Sequence, residues 1–189
     1  MIIVVDVDRI DADLAAGRVA CPGCAAALRP WSYARVRTIR QLDGSGLRLR
    51  PRRARCPGCG RTQVMLPGSV LPRRADATAV IGAALAARVQ GRGSAAIAAQ
   101  LHRPVSTVRR WLAGVRGEHL VWLRRRGVER AVDLDPQVLV EESYQPGELA
   151  QALSALVAAA VAWRRRFIAT VEMWTLIGVF TAGRLLTPV

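Results

Sequence analysis

Two copies of the tetrapeptide Cys-Pro-Gly-Cys constrain this chain more than any other feature. Cys21 and Cys24 form one pair, Cys56 and Cys59 form the other, and the chain's four cysteines are all used in these two motifs. Thiolates at this spacing are the soft ligands that zinc prefers, and two such pairs supply the four ligands of a tetrahedral structural site. The sequence therefore predicts one structural zinc ion held between the two motifs.

The segment between the motifs supports this prediction. Residues 25–55 contain the stretch LDGSGLRLR, in which Asp-Gly-Ser-Gly at 43–46 is a turn signal and the alternation that follows is typical of a strand. Two cysteine knuckles joined by a β-hairpin make a zinc ribbon. We expect Gly23 and Gly58 to permit the tight bend of each knuckle. A disulfide or a redox pair is the remaining alternative for these cysteines.

The N-terminal sequence favours the metal over the disulfide. The first 13 residues, MIIVVDVDRIDAD, place acidic residues where a signal peptide has a basic start, and their apolar run is too short for one. This predicts a cytoplasmic protein, and the cytoplasm keeps thiols reduced.

Charge is concentrated in the middle of the chain. Residues 29–126 hold 21 arginines against three acidic residues, a net charge of +18, whereas the whole chain carries +14 and contains no lysine. A folded segment this basic repels itself unless a polyanion neutralises it. Nucleic acid is the first partner this indicates, and double-stranded DNA in particular. An anionic membrane surface or a merely solubilising surface are the alternatives.

A second motif follows the cysteines. The stretch SAAIAAQLHRPVSTVRRWLAGV predicts two short helices joined by a turn of helix-turn-helix length. Ile97 and Leu101 on the first helix would pack against three residues of the second, Val108, Trp111 and Leu112. A simple helical hairpin with solvated arginines is the alternative.

The outer face of the second helix would then meet DNA. We expect Ser106, Arg109 and Arg110 to contact base edges in the major groove, and Arg103 and Thr107 to contact phosphates. Further phosphate contacts are expected from the arginines of the hairpin and the segment after it: Arg48, Arg50, Arg52, Arg53, Arg55, Arg73 and Arg74.

The motifs between about residues 15 and 117 form one ordered pattern. In chain order it contains the first cysteine knuckle, Trp31, the arginine-rich hairpin, RRARCPGCGRTQVMLP with the second knuckle, LPRR and IAAQLHRPVSTVRRWL. This pattern resembles an actinobacterial family of zinc-ribbon/helix-turn-helix proteins. It is similar in layout to the N-terminal DNA-binding regions of insertion-sequence transposases. The resemblance implies DNA binding linked to mobile elements, and a separate transposase or integrase as a partner.

Catalysis has little support in the sequence. A transposase needs three acidic residues on an RNase H-like fold, and the 72 residues after Gly117 lack the strands for it. Glu141 and Glu142 are most simply a solvated acidic pair. We therefore expect no enzymatic activity.

The C-terminal region predicts an amphipathic helix. Apolar residues at helical spacing start at Leu149, and the helical pattern runs from about residue 148 to residue 174. Its apolar face can pack within the monomer or form a homodimer through residues 149–168. Glu172 and Arg184 interrupt the apolar run, so we expect no membrane span.

Together these patterns predict an α+β, mainly α protein. Its expected parts are an N-terminal lead-in (1–20), a zinc ribbon (21–71), a helix-turn-helix domain (72–117), a connector (118–147) and a C-terminal helical segment (148–189). The expected function is sequence-specific DNA binding in a mobile element or a transcriptional regulator. An RNA-binding zinc-ribbon protein and an accessory module that partners a transposase or polymerase are the alternatives.

Overall fold

The computed structural model describes residues 1–140, 145–168 and 170–186. Its strands lie in the first 67 residues and most of its helices follow, so the fold is α+β. The strands are β1 (Ile2–Val4), β2 (Arg29–Tyr33), β3 (Arg37–Arg40), β4 (Gly46–Leu49), β5 (Arg52–Arg55) and β6 (Thr62–Pro67). The helices are α1 (Ile10–Ala15), α2 (Thr78–Val89), α3 (Ser94–Gln100), α4 (Val105–Ala113), α5 (Glu118–Leu134), α6 (Gln137–Val140), α7 (Glu148–Phe167) and α8 (Met173–Phe180).

A four-stranded sheet carries the cysteine motifs. Its strand order is β1-β6-β5-β2, with β1 parallel to β6 and the other neighbours antiparallel. The predicted lead-in therefore belongs to the sheet. Ile10 and Leu14 of α1 are buried with Leu28 and Met65 on one face of that sheet, in a small core of its own.

The hairpin predicted between the knuckles is present and consists of two successive antiparallel strand pairs. Strands β2 and β5 pair next to the cysteines, and β3 and β4 pair farther out, where the backbone N–H of Gln41 donates to Ser45 O at 2.8 Å. Ile39 of β3 is fully buried, but in the core of the helical region rather than in that of the sheet. The outer hairpin thus packs against the helices.

The helical region has two buried clusters, a larger one that reaches Leu186 and a smaller one formed by parts of α5, α6, α7 and α8. Ile81 of α2, Ile97 of α3, Trp111 of α4 and Leu156 of α7 are buried in the same cluster as Leu186. Helix α7 lies close along α5, since a Cβ atom on Gly127 would come within 2.5 Å of the Ala155 backbone. The alanines of the predicted amphipathic helix are what permit this approach.

The apolar stripe of α7 is therefore covered within the monomer, which is the first of the two alternatives stated for it. Buried residues of this helix include Leu153 and Leu156. A homodimer through residues 149–168 stays a prediction. The acidic pair Glu141–Glu142 and residues 187–189 lie outside the described residues.

The C-terminal helix was predicted too long. It ends at Phe167, where Ile168 takes a left-handed φ of +46°, and a separate helix α8 begins after Glu172. The Glu172 carboxylate accepts a hydrogen bond from the backbone N–H of Thr175 at 2.8 Å. An acidic residue that breaks an apolar run is thus an N-cap here. Among the described residues, no helix has the length and apolar character needed to cross a membrane.

Candidate metal centre and basic surface

The four cysteines converge at one end of the sheet. Their Sγ atoms all lie within 4.8 Å of one another, with Cys21–Cys59 at 3.7 Å and Cys24–Cys56 at 3.3 Å. A tetrahedron of thiolates around a metal with bonds of about 2.3 Å has edges of roughly 3.8 Å. The donor set and its dimensions therefore fit one metal ion. Cys21 and Cys56 are buried, and Cys24 and Cys59 are exposed at the rim.

The two knuckles have the same backbone turn. The N–H of Ala25 donates to Cys21 O at 2.9 Å in the first knuckle, and the N–H of Gly60 donates to Cys56 O at 3.0 Å in the second. Ala25 and Gly60 both have a left-handed backbone, with φ of +59° and +70°. The residue after the second cysteine therefore takes the left-handed conformation, rather than the Gly23 or Gly58 expected from the sequence.

The thiols influence one another electrostatically. The backbone N–H of Cys59 contributes most to lowering the pKa of Cys56 to about 6, and hydrogen bonds from Cys24 and Cys59 add to this. At Cys24 the backbone N–H of Ala26 lowers the pKa. Hydrogen bonds to Cys56 and Cys59, with burial, outweigh it and raise the Cys24 pKa to about 12. The thiolate of Cys56 is thus favoured, whereas that of Cys24 beside it is disfavoured without a cation.

An ion-pair cluster connects the outer hairpin to the turn before α4. Asp76, with a side chain 4% exposed, accepts hydrogen bonds from Arg40 Nε at 3.0 Å, Arg40 Nη2 at 2.9 Å and Arg103 Nε at 2.6 Å. Arg103 also donates to the backbone oxygens of Leu101 and His102 at 3.1 Å. We call these three residues, Arg40, Asp76 and Arg103, the Asp76 cluster.

The phosphate contact predicted for Arg103 does not agree with this position. Its side chain is only 9% exposed, and Asp76 already binds its guanidinium. The turn between α3 and α4 places this residue inward, so its role in the structure is to hold the turn. Periodicity within the helices carries no information about a residue in the turn between them.

The exposed face of α4 agrees with the sequence analysis. Val108 and Trp111 are buried, whereas Ser106, Arg109 and Arg110 are exposed on the opposite side. Thr107 is half-buried. A hydroxyl and two guanidinium groups therefore project together from this helix into solvent.

The other arginines predicted to contact phosphate differ in their surroundings. Arg48, Arg50, Arg55 and Arg73 are exposed, and Arg53 and Arg74 are half-buried. Arg52 is held by Asp11 of α1, with Nε 2.6 Å from Oδ1. The acidic residues of the N-terminal segment thus neutralise one arginine of the hairpin.

Two exposed aromatic side chains on β2 were not predicted as functional. Trp31 is 57% exposed and lies under the guanidinium of Arg55 at 5.0 Å. Tyr33 is contacted by the guanidinium groups of Arg50 at 4.9 Å and Arg52 at 4.5 Å. The stretch RPWSYARVR contained a signal for them, since its two aromatic residues lie at alternate positions with arginines on both sides.

A comparison with protein families matches one model, described as a domain of unknown function (DUF6431), over residues 21–111. The match begins at the first cysteine and ends at Trp111 within α4. No curated protein and no solved structure matches the chain.

Proposed function

We propose that this chain is a non-catalytic, sequence-specific DNA-binding protein, in which a zinc ribbon is packed against a helix-turn-helix unit. The observation that carries the proposal is the exposed face of α4. Ser106, Arg109 and Arg110 project from it while Val108 and Trp111 anchor its other side in the core. Guanidinium forks and hydroxyls are the groups that bind base edges in the major groove.

Zinc is the metal that the cysteine cluster fits best. Four thiolates are a soft, tetrahedral donor set, and they leave no coordination position for water. The residues of this small sheet bury few large side chains, so a metal crosslink would supply much of its stability. Its role in the proposal is structural. It holds the hairpin whose outer strands pack against the helical core.

The hairpin and the segment after it would supply the phosphate contacts. Four exposed arginines would make these contacts: Arg48, Arg50, Arg55 and Arg73. Their positive charge is in large excess over the nearby acidic residues, since residues 29–126 carry a net charge of +18. Such contacts orient a protein on the duplex and give binding a steep dependence on salt. Regulation of transcription and participation in a mobile element, with a separate transposase or integrase, both fit this mode of binding.

The test is selection of bound duplexes from a random library by the zinc-loaded chain, followed by a salt titration. We expect a recovered motif, and a log–log salt slope of several units because each neutralised phosphate contributes about −0.9. Arg110→Ala should relax the preference for the motif. Arg48→Ala should weaken binding to all duplexes alike and reduce the slope by about 0.9.

Arg124→Ala is the matched control, because Arg124 is an exposed arginine on α5 with no proposed DNA contact. It removes the same charge and should leave both the motif and the slope unchanged. Retention of duplexes without a motif would overturn sequence-specific binding and favour an accessory module. Equal losses on all sequences for Arg110→Ala and Arg48→Ala would overturn the base contact assigned to Arg110.

RNA or single-stranded DNA is a second candidate ligand, and the exposed aromatic residues favour it. Trp31 and Tyr33 are exposed rings with guanidinium groups over them, and unpaired bases stack on both aromatic rings and guanidinium planes. Base stacking on an aromatic residue contributes about 1–3 kcal/mol. If this ligand is the right one, the chain should prefer single strands over duplexes, and Trp31→Ala should remove that preference. Unchanged binding in Trp31→Ala would exclude it.

A further inference from the structure

A pocket of about 470 Å³ lies where the sheet meets the segment that leads into α2. Its apolar wall includes Val64 and Leu66 of β6 and Pro72, and its cations are Arg35, Arg37 and Arg73. Among the described residues that line it, none is acidic. The pocket therefore combines three guanidinium groups with a largely apolar wall.

Arg37 is the unusual member of this group. It lies two residues before Ile39 on β3, so both side chains are on the same side of the strand, the side that packs inward. Its Nε and Nη2 atoms are buried and have no hydrogen-bond partner among the described residues. Burial lowers the pKa of this guanidinium. Two donors of a charged group are thus removed from water without an acceptor, which is costly.

The two unpaired atoms form one edge of the guanidinium group. Nε and Nη2 are the pair that donates side by side to two oxygens of one anion. Arg40, on the same strand, uses this same edge on the two carboxylate oxygens of Asp76. Arg37 therefore has a two-donor edge of the kind that binds oxyanions, and no acceptor for it lies among the described residues.

Phosphate is the oxyanion that suits this pocket best. A phosphate group offers acceptor oxygens in several directions around one centre, so that more than one guanidinium group can donate to it, whereas a carboxylate offers two oxygens in one plane. The apolar wall of Val64, Leu66 and Pro72 is suited to the carbon atoms of a sugar next to the phosphate. A nucleotide unit of a nucleic acid presents both parts together.

The pocket is also connected to the proposed DNA-binding helix. Arg37 and Arg73 each stand three residues before a member of the Asp76 cluster, Arg40 and Asp76 respectively. That cluster holds the turn from which α4 begins. A phosphate bound in the pocket would thus be fixed relative to α4 through two short segments of chain.

We propose that this pocket is a phosphate-binding site in which the Arg37 side chain turns its Nε–Nη2 edge from its buried position toward one phosphate, with Arg35 and Arg73 completing the neutralisation of that phosphate. We further propose that this phosphate belongs to the backbone of bound nucleic acid. The second statement rests on the proposed function, whereas the first does not.

The first test measures thermal unfolding of the zinc-loaded full chain in inorganic phosphate and in chloride of equal ionic strength. Phosphate should raise the melting temperature of the wild type, and the rise should increase with the logarithm of its concentration. Arg37→Gln and Arg37→Lys should lose most of the rise, since a lysine lacks the two-donor edge. Phosphate also stabilises proteins in general, so the difference between variants is the decisive quantity.

Misfolding would not explain the expected result. Arg37→Gln removes a buried, unpaired charge, so in chloride it should be at least as stable as the wild type. Arg124→Gln is the control, with the same loss of charge on an exposed site. It should keep the full response to phosphate. An identical response of the wild type and Arg37→Gln would overturn the site.

The second test measures duplex binding by the same variants. Arg37→Gln should weaken it at least tenfold and reduce the log–log salt slope by about 0.9, and Arg124→Gln should not. If phosphate stabilisation is lost but duplex binding is unchanged, the pocket binds a free phosphorylated molecule, and its assignment to the nucleic-acid backbone is wrong. If the wild type binds phosphate but no duplex, the proposed function fails while the phosphate site stands.

Discussion

Replacing Asp76 by alanine should destabilise the protein more than any other single change to its charged residues. The carboxylate is 4% exposed and the side chain of Arg103 is 9% exposed, so removing Asp76 leaves a buried guanidinium without an anion. Breaking a buried ion pair in this way costs about 3–5 kcal/mol. Arg40 is 49% exposed and can return to water, so its pair adds no more than about 1 kcal/mol.

The magnitude is large in comparison with the free energy of unfolding of a typical domain, about 5–15 kcal/mol. Urea unfolding of the zinc-loaded chain, followed by circular dichroism, measures it. A double-mutant cycle of Asp76→Ala with Arg103→Met isolates the pair, and we expect a coupling of about 2–3 kcal/mol. Asp133→Ala is the control, since that carboxylate is 64% exposed and 3.6 Å from Arg130. A loss below about 1 kcal/mol in Asp76→Ala would refute the burial argument.

Three further changes test other parts of the structure. Ala25 and Gly60 both have a left-handed backbone, which glycine adopts more easily than alanine. In urea unfolding, Ala25→Gly should therefore stabilise the chain by about 1 kcal/mol, and Gly60→Ala should destabilise it by about the same amount. Effects of the same sign would contradict this. Gly127→Ala should lower the free energy of unfolding by about 1–3 kcal/mol, because the added methyl group forces α5 away from α7. Alanine favours helices more than glycine does, so a stabilised variant would contradict the close approach of the two helices. His119 is buried, and burial is the main cause that lowers its pKa, with the Arg184 charge adding to this. Its Nδ1 has no hydrogen-bond partner in the part of the chain that the structure describes. Its protonation is therefore favoured in the unfolded chain, so the free energy of unfolding should fall as pH drops below about 6.5. Measured against pH, His119→Gln should show a shallower fall, and an equal slope in both proteins would exclude this histidine as the cause.

Local signals in the sequence predicted the parts of the fold that depend on neighbouring residues. The cysteine spacing predicted the thiol cluster, and the turn at 43–46 predicted the outer hairpin. The helical spacing of the apolar residues predicted which side of α4 is exposed. Each of these depends on a repeat of a few residues, which the chain displays directly.

Other features depend on contacts between distant residues, and local patterns do not encode them. Ile2 pairs with Met65 across more than 60 positions, and nothing in the short strand β1 specifies that partner. Arg103 and Arg110 are both predicted from the sequence to contact DNA, yet Arg103 is held by Asp76 and Arg110 is exposed. The sequence likewise does not predict that Arg37 has two buried donors without a partner, because this depends on which residues from other parts of the chain surround it.

The core of the helical region crosses the boundary of the family match at residue 111. Residues inside the match, such as Ile81 and Ile97, are buried in the same core as Leu156 and Leu186, which lie outside it. In this chain the matched region and the segment after it therefore share one core. An excised fragment of residues 21–111 would bare an apolar surface and should aggregate. The matched region of this chain is thus completed by the C-terminal helices, which supply Leu156 and Ile177 to its core.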